Sequence, residues 1–545
     1  MIISLTDIIS KNKIVCAIQA FIINRKKMIV AIAVITAIVM VIVGAAIFQA
    51  ANGYIQDGYM SQADEIHNDH IILNIFKLSV LMLLVFTAGV VCVLLCMNVK
   101  LEYVFIAAAL CLGSAYVFVM TPISTPDEPH HYHSSYIISG YILFEDDPEL
   151  GDPRHFDYSM FFVHHNVPSA YLRLINEGVY ILDDNIVLRN VPSPYDINYP
   201  PTHVPQALGI TVARMIGLNF FGVFYEGRLF NLLFYILCVF LSIKWLRGFK
   251  LPLFVIGLLP ISLHQAASFN YDAFINGVSM MFIAFSISCI YEKDTFRWRN
   301  YIPLIILGIL LAPVKTVYTP LIFMVFIIAL RRREVMKGRI WIATASVVII
   351  SALFALLFFL MSDFAISVDN ATSTNWEGGY NYTLAYVLSY PLQTIMVFLR
   401  TIAVNFKEYF FGAFGRYLSG LTIVIPWPYM LVIIGLVISS IFYGKRNEWQ
   451  PTIRERVVFL LICATVAGLI MASMFLLFTS DHHNVIIGVQ GRYFTPLLPL
   501  VLLLLRSNRL LTQCNGYRNA VVIASVLMQC AVIVYILDYT MTGLA

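Results

Sequence analysis

The feature that most constrains this chain is a succession of apolar runs, each about as long as a bilayer is thick. A helix needs roughly 20 residues to cross about 30 Å of hydrocarbon. Runs near that length recur at 28–49, 71–97, 101–121, 222–246, 251–267, 272–291, 301–313, 317–330, 338–361, 421–443, 457–478, 494–506 and 518–540, separated by short charged stretches. In lipid every backbone N–H and C=O must be bonded within its own segment, so runs of this kind cross as helices. Composition agrees: 12% of residues are charged and 60% hydrophobic, where a soluble chain carries about a quarter charged. The expected fold class is an all-α polytopic membrane protein with about thirteen transmembrane helices. The runs 301–313 and 494–506 are short for a crossing and borrow residues from their flanks, including the neighbourhoods of Lys315 and Arg492.

Lysine and arginine concentrate on the cytoplasmic side of membrane proteins, which orients the set. With the N-terminus inside, 24 of the 35 lysines and arginines but only 7 of the 31 acids fall on inner loops and inner helix ends. The formal charge of +4 therefore hides a basic inner and an acidic outer surface. Two further apolar segments, 203–219 and 383–404, are expected to lie on or dip into the outer surface. Counting the first as a crossing would export Lys244, Arg247 and Lys250; counting the second would export Lys445, Arg446, Arg454 and Arg456. The nine cysteines avoid the long outer loops, so disulfides are not expected. There is no paired Cys-x-x-Cys, no phosphate-binding glycine loop and no basic patch interleaved with aromatics in a soluble domain, which argues against nucleic-acid binding.

Residues 1–100 read as an added helical pair, 101–510 as a membrane core, and 511–545 as a C-terminal transmembrane helix. The core carries a large outer loop, 122–201, and smaller outer segments, 362–420 and 479–493. At the start of the large loop stands the stretch STPDEPHHYHSS, residues 124–135. Thr125 and Glu128 have capping-box spacing, but Pro129 favours Asp127 as the cap with the proline at the second helical position. Such a helix puts Asp127, His130 or His131, and Ser134 on one face. Glu128 points about 100° away, which disfavours an opposed carboxylate pair of glycosidase type. Asp127 with His131 could hold a divalent cation, Mg or Mn. The structural alternatives are a cap for Asp127, a solvated first-turn acid for Glu128 and interfacial histidines.

Ionisable groups at the rims of spans are costly and face a polar cavity or a partner. Arg228 in EGRLFN, Asp272 in SFNYDAF, Lys315 in APVKTVYTP and Arg492 in VQGRYFTP each stand at an outer helix end, level with Asp127. Such a cluster suits an anionic headgroup whose tail stays in lipid, because arginine offers phosphate a planar fork and lysine a point charge. The stretch DINYPPTHVPQALG, with an extended Tyr199-Pro200-Pro201 lead into a surface helix, is expected to wall the cluster.

TPDEPHHYHSSYIISG, NYPPTHVPQALGITVARMIGL, YEGRLFNLL, SFNYDAFINGVSMMFIAF, VKTVYTPLIF and GVQGRYFTPLLPLVLL follow, in order, the pattern of a bacterial family of predicted membrane proteins, domain of unknown function 2142. In layout the chain resembles the membrane-embedded GT-C glycosyltransferases. The resemblance covers about 101–510 and implies a GT-C-like multi-helix fold that takes a polyprenyl-phosphate-linked sugar as donor. A carboxylate in the first large outer loop then acts as base or metal ligand, a role that maps to Asp127, with Glu128 second and the family's histidine at His131. Arg492, Lys315 and Arg228 would meet the donor phosphate. Asp272, Tyr271, Tyr199, Gln490 and Tyr493 would orient substrates. The expected activity is sugar transfer to a cell-wall or surface glycan at the outer face of the bacterial plasma membrane. The alternatives are a transporter or flippase of lipid-linked saccharides, or a polymerase or ligase of lipid-linked oligosaccharides.

Overall fold

The computed structural model describes residues 62–122, 124–145, 200–218, 220–292, 297–312, 316–336, 338–361, 380–446 and 448–542. The expected first span at 28–49, most of the large loop including Tyr199, and Lys315 lie outside these residues. The described chain is almost wholly helical. Its one sheet is a two-stranded antiparallel hairpin, β1 (Tyr417–Leu418) paired with β2 (Ile423–Val424).

Among the described residues, seven helices are long and apolar enough to cross a membrane: α1 (Gln62–Cys96), α2 (Leu101–Val119), α5 (Phe220–Trp245), α8 (Asp272–Ile287, extended by a π-helical turn to Glu292), α11 (Arg339–Met361), α15 (Ile453–Leu477) and α17 (Asn515–Thr542). Between them run α3 (Glu128–Ile142), α4 (Pro200–Met215), α6 (Lys250–Gly257), α7 (Pro260–Ala266), α9 (Tyr301–Leu311), α10 (Met324–Met336), α12 (Leu384–Ser389), α13 (Pro391–Gly412), α14 (Trp427–Ser440) and α16 (Leu498–Leu505). The expected run 251–267 is broken into α6 and α7, because Pro260 cannot donate the backbone bond that would continue α6.

Helix α8 is the axis of the bundle. In its crossing segment 94% of residues are buried, against 22% for α11 and 28% for α1, whose outer faces are left for lipid. The short runs do borrow from their flanks. Tight 3-10 segments, Thr316–Phe323 and Gly491–Leu497, lead into α10 and α16. Each contains a proline, Pro320 or Pro496, which has no N–H for an α-helical bond. The two segments meet where Tyr318 Oη donates to the Tyr493 carbonyl at 2.8 Å.

Helix α4, 16 residues long, is too short to cross, and α13 is not among the helices apolar enough to do so. Helix α13 buries only Thr394, Val397, Thr401, Tyr409 and Gly412, and exposes Leu392, Ile395, Leu399, Ile402, Phe406 and Phe410 at three- and four-residue spacing. That is the stripe expected of a helix lying against apolar surroundings. Pro200 and Pro201 are already helical in α4. The extended lead expected there is thus replaced by prolines in the first turn, where a missing N–H costs nothing. Helix α4 packs on α3 and α5. Its Gly209 lies so close to the Glu226 carbonyl that a Cβ would come within 2.3 Å of that oxygen.

Candidate functional site

Helix α3 begins as the prolines require, with Asp127 in the N-cap position, Glu128 first and Pro129 second. Asp127 stands in the left-handed region, φ 59°, which aspartate and asparagine tolerate better than most residues. Its carboxyl makes no capping bond and the residue is exposed. Glu128 performs the reach-back instead, accepting from the Thr125 N–H at 3.4 Å. The sequence expectation is corrected in that detail: Asp127 occupies the cap position, and its carboxylate is left for other work.

Glu128 and Arg228 have a different role from the one anticipated. Arg228 Nε and Nη2 donate to Glu128 Oε1 and Oε2 at 2.9 and 2.8 Å. Nη1 donates to the Val117 and Met120 carbonyls at 3.1 and 2.6 Å, and Nη2 also to the Thr121 carbonyl at 2.9 Å. A guanidinium has five N–H groups, and these five contacts use them all. Glu128 Oε1 further accepts the Phe269 N–H at 3.1 Å, and both side chains are fully buried. The pair joins the end of α2, the start of α3, α5 and the turn before α8. Arg228 therefore has no donor left for a phosphate, and Glu128 no free oxygen with which to act as a base.

Beside this pin a second cluster forms. His131, one turn into α3, lies with its Nδ1 3.1 Å from His203 Nε2 of α4, and His203 Nδ1 is 3.2 Å from Thr202 Oγ1. The Tyr271 ring stands edge-on to His131, with centroids 4.7 Å apart. Asp272, the next residue, opens α8 and places Oδ2 3.3 Å from Arg492 Nε, near enough for an ion pair though off the line of a hydrogen bond. Asp272 is oriented by Gln265 Nε2 at 3.1 Å, and Gln265 in turn accepts from Asn276 at 2.7 Å. Arg492 and Tyr493 lie in the first turn of the 3-10 segment, with Gln490 half-buried at its cap. The fold thus links His131, Tyr271, Asp272, Arg492 and Tyr493 through touching side chains and adjacent residues, with Asp127 one turn from His131 on the exposed side.

Two groups in this region escape sequence reading. Arg416 lies over the Trp427 ring, 3.6 Å from its centroid, and its buried Nε and Nη1 meet no acceptor among the described residues. Four residues before Arg416, Gly412 packs against Gly491 so closely that a Cβ on Gly491 would meet Gly412 Cα at 2.5 Å. A signal exists in the sequence, where Gly-Arg-Tyr occurs twice, at 415–417 and 491–493. The other is His264 of α7, which accepts the Ser419 N–H at 3.3 Å while Ser419 Oγ binds the Ser124 carbonyl, tying the hairpin to the start of α3. As for metal, no three His, Cys, Asp or Glu side chains among the described residues come together as ligands. His131 Nδ1 is moreover engaged with His203.

These features define an all-α polytopic membrane protein whose ionisable residues are gathered in helix-end clusters. The chain belongs to the family of predicted membrane proteins termed DUF2142, whose pattern it matches over residues 110–501. No curated protein and no solved structure matches it.

Proposed function

We propose that the protein is a glycosyltransferase that moves a sugar from a polyprenyl-phosphate carrier to a cell-wall or surface glycan at the outer face of the bacterial plasma membrane. The observation that supports this reading is an exposed, uncapped acid at Asp127 one turn from His131, which is linked through Tyr271 and Asp272 to Arg492. The charge bias of the loops supports an outward orientation of that end, where an acceptor glycan would be found.

In this reading the carrier chain lies in lipid and its phosphate meets Arg492, with Arg416 as a second cation and Lys315 from outside the described residues. Asp272 holds Arg492 in place, while Tyr271, Tyr493 and Gln490 shape the approach. The Asp127 carboxylate takes the proton of the acceptor hydroxyl, whose oxygen forms the new bond to the anomeric carbon. The bond from that carbon to the phosphate oxygen breaks, and the carrier phosphate leaves with the electron pair. A single displacement inverts the anomeric centre. General-base help of this kind contributes about a hundred- to ten-thousand-fold, and the cations stabilise charge growing on the leaving phosphate.

The test is Asp127→Asn. Asparagine accepts the left-handed backbone, so abundance and unfolding temperature should match wild type while transfer from a polyprenyl-phosphate sugar is lost. Retained turnover would reassign the base. A protein that moves lipid-linked saccharides without altering them in detergent would instead be a transporter.

A further inference from the structure

At the end of the bundle opposite Asp127 lies a cavity of about 320 Å³ lined by Lys100, Glu102, Arg247, Phe249, Lys250 and Arg518, among others. Helix α2 runs from one end to the other: Glu102 faces this cavity, while the carbonyls of Val117 and Met120 bind Arg228 beside α3. We propose that the cavity is a binding site for a phosphate-bearing anion.

Charge is the first ground. Of the two acids in the lining, Glu102 is neutralised by Lys250 at 3.1 Å and Glu448 by Arg506 behind the wall at 2.5 Å. Glu292, outside the lining, accepts the backbone N–H groups of Arg247 and Gly248 at 2.6 and 2.8 Å and the Trp449 indole N–H at 2.8 Å. The lining thus carries four basic side chains, Lys100, Arg247, Lys250 and Arg518, against two acids. The second ground is rigidity. The Arg247–Phe249 turn is held by Glu292, and the wall at Tyr443–Gly444 is stitched down by backbone bonds from the Thr512 N–H to the Phe442 carbonyl at 2.7 Å and from the Gly444 N–H to the Thr512 carbonyl at 3.0 Å. The third is the backbone field, since α2 and α6 begin in this wall at Leu101 and Lys250 and helix starts carry partial positive charge. A volume of this size holds a small phosphorylated molecule or a lipid headgroup rather than a lone chloride.

The phosphate could belong to an anionic lipid or to a soluble metabolite, and two probes separate them. One is glycerol 1-phosphate titrated calorimetrically into the full-length protein in phosphatidylcholine nanodiscs. The other is phosphatidylglycerol added to those nanodiscs, read as a rise in unfolding temperature. Binding is expected in at least one arm. The double variant Lys100→Ala/Arg247→Ala, whose two side chains are exposed, should weaken it about tenfold or more, the scale of lost charge-assisted hydrogen bonds. Lys445→Ala/Arg446→Ala, exposed at the same end but outside the lining, should leave it within about twofold. Binding in neither arm overturns the proposal, and so does equal weakening by both double variants, which would indicate diffuse surface charge.

Discussion

Replacing Arg228 by methionine isolates the contribution of the buried pin. The side chain makes five hydrogen bonds, two to Glu128 and three to carbonyls at the end of α2. Methionine fills much of the volume but leaves Glu128 buried with only the Phe269 and Thr125 N–H groups for its charge. Removing one partner of a buried ion pair costs about 3–5 kcal/mol, so Arg228→Met should be among the most destabilising single changes in the chain. Glu128→Gln should cost a similar amount, because it strands the guanidinium. The double variant should lose much less than the sum, with a coupling of about 2–3 kcal/mol, since both charges are then gone. Unfolding in mixed micelles, followed by denaturant midpoint for all four proteins, reads the cycle. Refutation would come from an Arg228→Met protein that unfolds within about 0.5 kcal/mol of wild type, the range of ordinary surface changes, yet loses affinity for a polyprenyl phosphate. Arg228 would then be a ligand-binding residue after all.

Gly491→Ala should destabilise the protein by roughly 1–3 kcal/mol, because the new methyl meets Gly412 Cα at 2.5 Å and the Ala413 nitrogen at 2.8 Å; thermal unfolding measures it, and an unchanged midpoint would mean that the contact opens freely. Arg416→Gln should weaken binding of a polyprenyl phosphate about tenfold or more while leaving the unfolding temperature nearly unchanged, since two of its nitrogens already lack acceptors; a stability loss without an affinity loss would make it a structural stack on Trp427. In α3, which is not among the membrane-crossing helices, burial and the neighbouring His130 push the His133 imidazole down to about 4. Its folded value is below the unfolded one, so the unfolded chain gains the proton first and stability falls as pH drops from about 6.5 to 4, by a few kcal/mol in full. His133→Gln should flatten that part of the pH–stability curve.

Apolar length made most of the helices visible, and lipid-side physics makes that signal strong. It did not show where the crossings break. Pro260 ends a run that looks continuous by hydropathy, and Pro320 and Pro496 tighten two more into 3-10 turns, because a missing N–H changes hydrogen bonding without changing apolarity. That neither 203–219 nor 383–404 is among the helices long and apolar enough to cross agrees with the charge-parity argument, which constrains the number of crossings even where hydropathy does not.

The ionisable residues of this region were visible in the sequence, and their pairings were not. An ionisable residue near a span reads as functional because burying a charge is costly, but two opposite charges can meet that cost for each other. Glu128 and Arg228 do so 100 positions apart, through a bidentate geometry that spacing cannot reveal. Asp127, its neighbour, differs only in facing outward from a left-handed cap, and that single rotation separates a structural acid from an available one. Asp272 and Arg492 lie between these cases, close enough to pair yet misaligned, the arrangement expected of a cation held in place with donors to spare. The count of unused donors, five of five engaged at Arg228 against two without acceptors at Arg416 and an off-line Nε at Arg492, is therefore the quantity that sorts these arginines. On that measure the candidate phosphate site moves away from the α2–α3 junction and toward the contact between Gly412 and Gly491.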